Sequence, residues 1–244
     1  MKKTLFILLA FPLLSNAQPG DKKNILKMNL SSLVAKNFHF IYERSITRHI
    51  SISLAYRFMP KSDLPFQNAF DNLINDPNVD IGAFKLGNSA ITPEIRFYLG
   101  RGMMRGFYFA PYARFANFDA TVPVKYNSST SPGTKLEALF SGKVHSTSGG
   151  LLLGMQRQLF KTLVFDLWIL GGHYGNCNGT LNATNINPPM TASERADLDQ
   201  TLNDINANPF KVKGNTTSPT SAFVSVSGPW AGIRSLGFTV GLRF

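Results

Sequence analysis

The feature that most constrains this sequence is a two-residue alternation of apolar and polar side chains. It is clearest at the end of the chain, where Leu236, Phe238, Val240, Leu242 and Phe244 alternate with Ser235, Gly237, Thr239, Gly241 and Arg243. The same pattern occupies residues 50–58, 91–99 and 107–115. Successive side chains of a β-strand point to opposite faces of its sheet. The alternation therefore predicts an all-β protein whose strands carry one apolar and one polar face.

Two all-β architectures alternate in this way, a soluble sandwich and a membrane β-barrel. The polar face of these segments combines Gly, Ser, Thr and Ala with charged residues such as Arg57, Glu94 and Arg96. Small and charged side chains together are typical of the narrow interior of a small barrel. We therefore expect a closed antiparallel transmembrane β-barrel. In the alternative, a sandwich, the Phe and Ile side chains would be buried between two sheets.

The N-terminus has the composition of a secretory signal peptide. Lys2 and Lys3 precede an apolar run at 5–14, and small or polar residues follow it. The run has about ten residues, whereas a membrane-spanning helix needs roughly 20. We expect a cleaved signal peptide at 1–17 and a barrel domain at 18–244, located in the outer membrane after export. An uncleaved helical anchor is the alternative.

Eight strands are predicted, and an even number places both ends of a bacterial barrel on the same side of the membrane. They are 25–31, 37–43, 50–59, 89–99, 106–118, 143–156, 162–173 and 231–244. The long external loops between them are 60–88, 119–142 and 174–230. Residues 221–227 also alternate, and we assign them with 211–214 to an external hairpin. A barrel of ten strands is the alternative, and Pro93 predicts a bulge because proline cannot donate to a ladder.

The third long loop contains the signals of a short helix. Thr191 and Glu194 have the spacing of a capping box, which predicts a helix over 191–206. Its apolar stripe is Leu198, Leu202 and Ile205, and the aspartates expected in solvent are Asp197, Asp199 and Asp204. The helix would pack on the adjacent hairpin. A lid over the barrel mouth or a partner-binding surface is the alternative.

The odd or even position of a residue along its strand, its parity, predicts the face on which its side chain lies. By this criterion seven charged side chains lie on the polar face. They are Glu43, Arg57, Glu94, Arg96, Arg114, Asp166 and Arg243. The interior of an eight-stranded barrel is only wide enough for side chains to fill it, so we expect these charges to pair across the axis. The alternative is that they line a porin-like path for a small solute.

The sequence favours anionic neighbours and no nucleic acid. The formal net charge is +11, and removal of Lys2 and Lys3 with the signal peptide leaves 25 − 2 = 23 basic against 14 acidic residues, or +9. A signal peptide and the lack of a concentrated basic tract argue for lipid and lipopolysaccharide phosphates as partners. The terminal Phe244 resembles the signal that the barrel-assembly machinery recognises. Asn/Ser/Thr-rich loops would face extracellular protein partners.

No catalytic, cofactor or metal site is predicted. Asp166 and His173 are seven residues apart, which places them on opposite faces of a regular strand. Cys177 has no activating base nearby in the sequence, and it is expected in a loop. The chain has no zinc-type spacing, no calcium loop and no phosphate-binding glycine loop. We therefore expect no enzyme, and two functional classes remain, a structural or surface-interaction barrel and a narrow pore or transporter.

Several segments resemble a family of uncharacterised outer-membrane β-barrel proteins of Gram-negative bacteria, a domain of unknown function. They are KMNLSSL at 27–33, ITPEIRFYL at 91–99, GFYFAPY at 106–112, ILGGHYG at 169–175 and GPWAGIR at 228–234. The resemblance covers nearly all of the chain after the signal peptide. It implies the barrel fold, with Pro93 as a family feature, and it implies no activity. The chain departs from the family at Ser235, where a glycine is expected, which affects only a local turn.

Overall fold

The computed structural model describes residues 22–63, 83–131 and 133–244, so the predicted signal peptide at 1–17 lies outside the described residues. The fold is all-β with one α-helix and a short 3-10 helix at Ser31–Ala35. The strands are β1 (Asn24–Asn29), β2 (Phe38–Ser45), β3 (Ile50–Asp63), β4 (Lys85–Tyr98), β5 (Gly106–Asn127), β6 (Lys135–Gln158), β7 (Leu163–Thr184), β8 (Lys211–Ser218) and β9 (Ser221–Arg243). The helix α1 (Ala192–Asp204) lies between β7 and β8.

The nine strands form one antiparallel sheet that rings round. Neighbours pair in the order β1-β2-β3-β4-β5-β6-β7-β9-β8, and β1 also pairs with β9, where Ile25 lies opposite Arg243. Within the described ranges, β8 pairs with β9 alone. The sandwich alternative is wrong, because the large apolar side chains are exposed on one sheet rather than enclosed between two.

The ring has a short-link end and a long-link end. Residues 46–49, 99–105 and 159–162 connect strands at the short-link end. At the opposite, long-link end lie the 3-10 helix, residues 128–131 and 133–134, and the segment that contains α1 and β8. Of the described helices, none is long and apolar enough to cross a membrane.

Each of the eight predicted strands is present, but six of them extend into the predicted loops. β5, β6, β7 and β9 continue into the predicted loops 119–142 and 174–230, and described parts of the predicted loop 60–88 belong to β3 and β4. The predicted pairing of 211–214 with 221–227 is confirmed between β8 and β9, but residues 221–227 are not apart from the ring. They begin β9, which runs unbroken to Arg243 and pairs on one side with β7 and on the other with β8.

The expected bulge at Pro93 is absent, because β4 keeps the same register with β5 on both sides of it, with Ile91 opposite Phe115 and Glu94 opposite Tyr112. The register of β3 with β4 shifts elsewhere, between Met59 and Ser62. The register of β7 with β6 also shifts, between Leu153 and Gly154 of β6.

In β7 the buried residues change from even to odd positions across residues 169 and 170. The same change occurs in β9 across Ser235 and Leu236, and Leu236 has a φ of 52°. Asp166 and His173 therefore both face the interior, contrary to the parity expectation. Cys177 is buried within β7 rather than placed in a loop.

The predicted helix is confirmed as α1. Thr191 caps it, accepting from the Glu194 backbone N–H, while the Glu194 carboxylate accepts from the Thr191 backbone N–H in return. Leu198 and Leu202 are fully buried against an apolar cluster contributed by β5, β6, β7 and β9.

Two of the aspartates on α1 do not simply face solvent. Asp197 accepts from the backbone N–H of Asn127 at 2.8 Å, and Asp199 accepts from the Thr216 hydroxyl at 3.1 Å. The helix is thus tied to the ends of β5 and β8. Asp204 is exposed, as expected.

Candidate functional site

The outer face of the ring carries a belt of exposed apolar side chains. Across five neighbouring strands, Ile50, Phe97, Phe109, Leu153 and Leu170 lie side by side in register. Further exposed members of this belt are Leu26, Phe40, Leu54, Tyr56, Ile91, Phe107, Phe115, Leu151, Ile233, Phe238 and Leu242. Monomeric soluble proteins rarely expose a contiguous apolar surface of this extent.

The belt ends sharply toward the long-link end. A second row in register consists of Ser89, Asn117, His145, Asn178 and Ser227, all polar. On β5 the apolar belt extends from Phe107 to Phe115, and the outward positions beyond it include Asn117 and Asp119. The outer surface is therefore divided into an apolar zone and a polar zone at one level of the sheet.

The interior has the opposite distribution of polarity. Inside the belt, β6 directs Ser146 and Ser148 inward, whereas beyond the polar row it directs Ala138 and Phe140 inward. The part of the ring at the long-link end thus has an apolar inside and a polar outside, which is the arrangement of an ordinary soluble sheet covered by a helix. The two-residue alternation continues along the strand, but its polarity is reversed.

A charge network fills the interior near the short-link end, and Lys27 on β1 is at its centre. The Lys27 ammonium donates to Glu43, to Gln156 Oε1 at 2.6 Å and to Asp166 Oδ2 at 2.9 Å. The side chains of Lys27, Glu43 and Asp166 have no solvent exposure. All three donor positions of the ammonium are used, so the buried cation is fully compensated.

Arg96 on β4 is the second cation of the network. Its Nη1 lies 2.6 Å from Asp166 Oδ2, and its Nη2 lies 2.9 Å from Glu94 Oε2. Glu94 Oε1 in turn accepts from Arg234 Nη1 at 2.8 Å. The acids Glu43, Glu94 and Asp166 are therefore matched by the cations Lys27, Arg96 and Arg234.

Tyrosines and serines satisfy the remaining carboxylate oxygens. Glu43 Oε1 accepts from the hydroxyls of Tyr98 at 2.6 Å and Ser51 at 2.5 Å, and Asp166 Oδ1 accepts from Tyr108 at 2.7 Å. The Tyr108 ring also lies under the Arg96 guanidinium at 4.6 Å. Gly154 opposite Tyr108 makes this possible, since a Cβ there would collide with the tyrosine ring.

The seven predicted interior residues fall into three groups. Glu43, Glu94, Arg96 and Asp166 join in the network just described. Arg57 and Arg114 face the interior nearer the long-link end and make no ion pair among the described residues. Arg243 lies apart, at the short-link end, and donates to Lys22 O and Gln158 Oε1. Phe244 extends the outer belt and is half exposed.

Sequence reasoning missed Lys27, Gln156 and Arg234, and it also missed the hydroxyl donors Ser51, Tyr98 and Tyr108. Lys27 lies between the outward Leu26 and Met28, so its parity could have identified it. Gln156 carries no charge and gave no signal. Arg234 shares its parity with outward residues of the final alternation, and only the irregularity at 235–236 turns it inward. A local irregularity of this kind has no clear signature in a single sequence.

None of the four histidines pairs with an acid among the described residues. His39 packs edge-on against Trp168 at 5.3 Å, and His173 Nδ1 lies 3.3 Å from the Tyr112 hydroxyl. His145 pairs with Asn117 on the outer surface, and His49 contacts the Tyr98 carbonyl. No cluster of three or more metal-ligating acids, histidines or cysteines occurs in the described ranges.

Fold and site together define an all-β protein whose sheet rings round a buried charge network and carries an apolar belt outside. Comparison with known proteins finds no family model that matches the sequence and no curated protein with a significant match.

Proposed function

We propose that the chain is an outer-membrane β-barrel protein with a structural or surface-interaction role. In this proposal β1 to β7 and β9 form an eight-stranded wall, and β8 with α1 belongs to the extracellular part. The observation that carries the proposal is the apolar belt on the outer face opposite a charged interior, because lipid and not water is the solvent that favours this distribution.

The dimensions of the belt support a membrane location. From Phe107 to Phe115 the outward apolar positions on β5 span roughly 27 Å at about 3.4 Å per residue. The apolar band of an outer-membrane barrel is about 25 Å tall and its strands are tilted. The polarity reversal beyond the belt supports the same reading, since strands that leave the bilayer must hide apolar side chains from water again.

The charge network supports a structural interior rather than a conducting one. Its members come from β1, β2, β3, β4, β5, β6, β7 and β9, and the side chains at its centre have no solvent exposure. Side chains from the whole circumference thus meet on the axis. The surface that remains for function is the long-link end, where β5, β6, β7 and β9 rise beyond the belt and carry α1. We propose that this end presents a rigid surface to an extracellular protein partner, and that the chain has no enzymatic activity.

Liposome swelling tests the absence of conduction. The purified chain reconstituted in phospholipid liposomes is expected to give no more swelling with small sugars than empty liposomes. A general porin is the positive control. A double substitution that removes a directly paired base and acid from the centre of the network, Lys27→Ala with Asp166→Ala, is expected to open a leak in liposomes that contain the inserted variant. Swelling with the unmodified chain would favour the alternative, a narrow pore for a small solute.

A further inference from the structure

Beyond the neutral network, toward the long-link end, the interior holds positive charge that no acid of the described residues balances. Arg57 on β3 and Arg114 on β5 face inward there, together with the part of the Arg234 guanidinium on β9 that does not contact Glu94. In the described parts of the chain, Arg234 uses Nη1 for Glu94, while Arg57 and Arg114 have no carboxylate partner. A buried cation without a counter-charge is costly, so this arrangement calls for an anion.

The arginines belong to one group of side chains, which we name the basic cluster: His39, Arg57, Arg114, Ser146, Ser148 and Arg234. His39 lies directly opposite Arg57 across β2 and β3, and Arg114 lies directly opposite Ser148 across β5 and β6. Arg57 lies in one row with Ala90, Ala116 and Ser146 across β3 to β6. Arg114 is two residues from Ala116 on β5, and Arg234 stacks on Tyr112, two residues further along the same strand. The arginines are therefore near neighbours although they come from three different strands.

Arg234 is held rigidly at the edge of this group. Its guanidinium lies 4.5 Å from the centre of the Tyr112 ring and 4.4 Å from that of Trp168. His39 in turn packs against Trp168 at 5.3 Å. Stacking on two aromatic faces fixes the plane of the guanidinium, which leaves its Nη2 in a defined position.

Several buried polar atoms of the basic cluster lack a hydrogen-bond partner within the described residues. They are Arg57 Nε, His39 Nε2, Arg234 Nη2, Ser146 Oγ and Ser148 Oγ. His39 is 5% exposed, Ser146 3% and Ser148 4%, so bulk water does not solvate them freely. Buried polar groups are nearly always paired in folded proteins, because an unpaired one loses its hydration without compensation. All five atoms can act as donors.

We propose that the basic cluster is a binding site for an oxyanion of the phosphate or sulfate type. Planar arginine donors with serine hydroxyls around them match the several oxygens of such a group. The bound group would compensate Arg57 and Arg114 and accept from the unpartnered donors. Its source is a free ion or the phosphate of a lipid headgroup. The inference concerns the interior alone and does not depend on where the ring is located.

Titration of the purified full chain in zwitterionic, lipid-free detergent micelles tests this site. Inorganic phosphate at constant ionic strength is expected to bind saturably by calorimetry and to raise the melting temperature, whereas added chloride is not. Arg114→Gln is expected to weaken binding by about tenfold or more, the equivalent of one charge-assisted hydrogen bond. The matched control is Arg44→Gln, because Arg44 is exposed on the outside and contacts Asn24. Its phosphate affinity is expected to be unchanged.

Arg57→Gln separates binding from a purely structural role. Without phosphate this variant is expected to melt higher than the unmodified chain, because an unbalanced charge is removed, and to lose the phosphate response. A structural arginine would give the opposite change, a lower melting temperature. A response to phosphatidylglycerol but not to phosphate would assign the site to a headgroup. Absence of saturable binding to both, or binding by Arg114→Gln equal to that of Arg44→Gln, would overturn the proposal.

Discussion

At the scale of single residues, the interior network consists of buried charges that neutralise one another rather than of packed apolar side chains. Lys27, Arg96 and Arg234 oppose Glu43, Glu94 and Asp166, and the hydroxyls of tyrosine and serine residues occupy the remaining oxygens. Complete pairs of this kind contribute little net stability, but loss of one partner leaves a buried charge uncompensated. Substitution of a residue that pairs with two partners is therefore expected to destabilise the network most.

Glu94 is such a residue, and Glu94→Ala is expected to destabilise the fold. The substitution leaves Arg96 and Arg234 without their shared carboxylate, and breaking a buried pair in this way costs about 3–5 kcal/mol. Urea unfolding of the refolded protein, followed by tryptophan fluorescence, measures the change.

The matched control for this variant is Lys61→Ala. Lys61 pairs with Asp119 at 2.7 Å, but both side chains are largely solvated, at 34% and 47% exposure. Loss of an exposed pair costs about 0–1 kcal/mol. Equal unfolding midpoints for Glu94→Ala and Lys61→Ala would show that the interior charges do not hold the ring together.

Much of this network could be predicted from parity alone. Glu43, Glu94, Arg96 and Asp166 alternate with apolar neighbours in regular strands, which fixes their face. Arg234 could not be predicted, because the irregularity at 235–236 depends on how β9 fits β7 and not on a local residue preference. Only the structure shows that Arg57 and Arg114 lie apart from the acids. The alternation predicts which face of the sheet a side chain is on, but not its position along the axis of the ring.

At the scale of elements, β5, β6, β7 and β9 each consist of two parts with opposite polarity. The sequence predicted the part of each strand whose outward side chains are apolar. It assigned the rest of each strand to a loop, because in that part the apolar side chains point inward instead. Val124, Phe140, Leu181 and Val224 belong to these latter parts and are buried beneath α1. The helix itself was predictable, because its capping box and its stripe are local signals.

The N-terminus of α1 is expected to loosen at low pH. The Glu194 carboxylate accepts from the backbone N–H groups of Thr191 and Ser129, each at 2.9 Å, and these bonds lower the pKa of Glu194 below its usual 4.5. A lowered pKa means that the stabilisation is complete above the ordinary value and is lost as the pH falls through the lowered one.

Amide exchange of residues 192–204, corrected for the intrinsic pH dependence of exchange, measures this effect between about pH 7 and pH 3. Protection of the unmodified chain is expected to stay constant down to the ordinary pKa and then to decrease. Glu194→Gln is the control, and we expect it to show weaker protection with no such decrease. A decrease of the same size in Glu194→Gln would assign the pH effect to another group.

At the scale of the whole molecule, one sheet combines two parts with opposite polarity. The belt is apolar outside and encloses charges, whereas the long-link end is polar outside and encloses an apolar cluster. The boundary is the row that contains Ser89, Asn117 and His145. A soluble ring would have no reason to reverse its polarity at one level, so this boundary is the central claim of the account.

Site-directed spin labelling in phospholipid bilayers tests that boundary most directly. With Cys177→Ser as background, labels are attached at Leu153→Cys on the belt and at Thr180→Cys beyond the polar row, both outward positions on neighbouring strands. We predict that the label at 153 is accessible to oxygen and shielded from a water-soluble nickel complex, and that the label at 180 has the reverse accessibility. Equal access of the nickel complex to both labels would contradict the account.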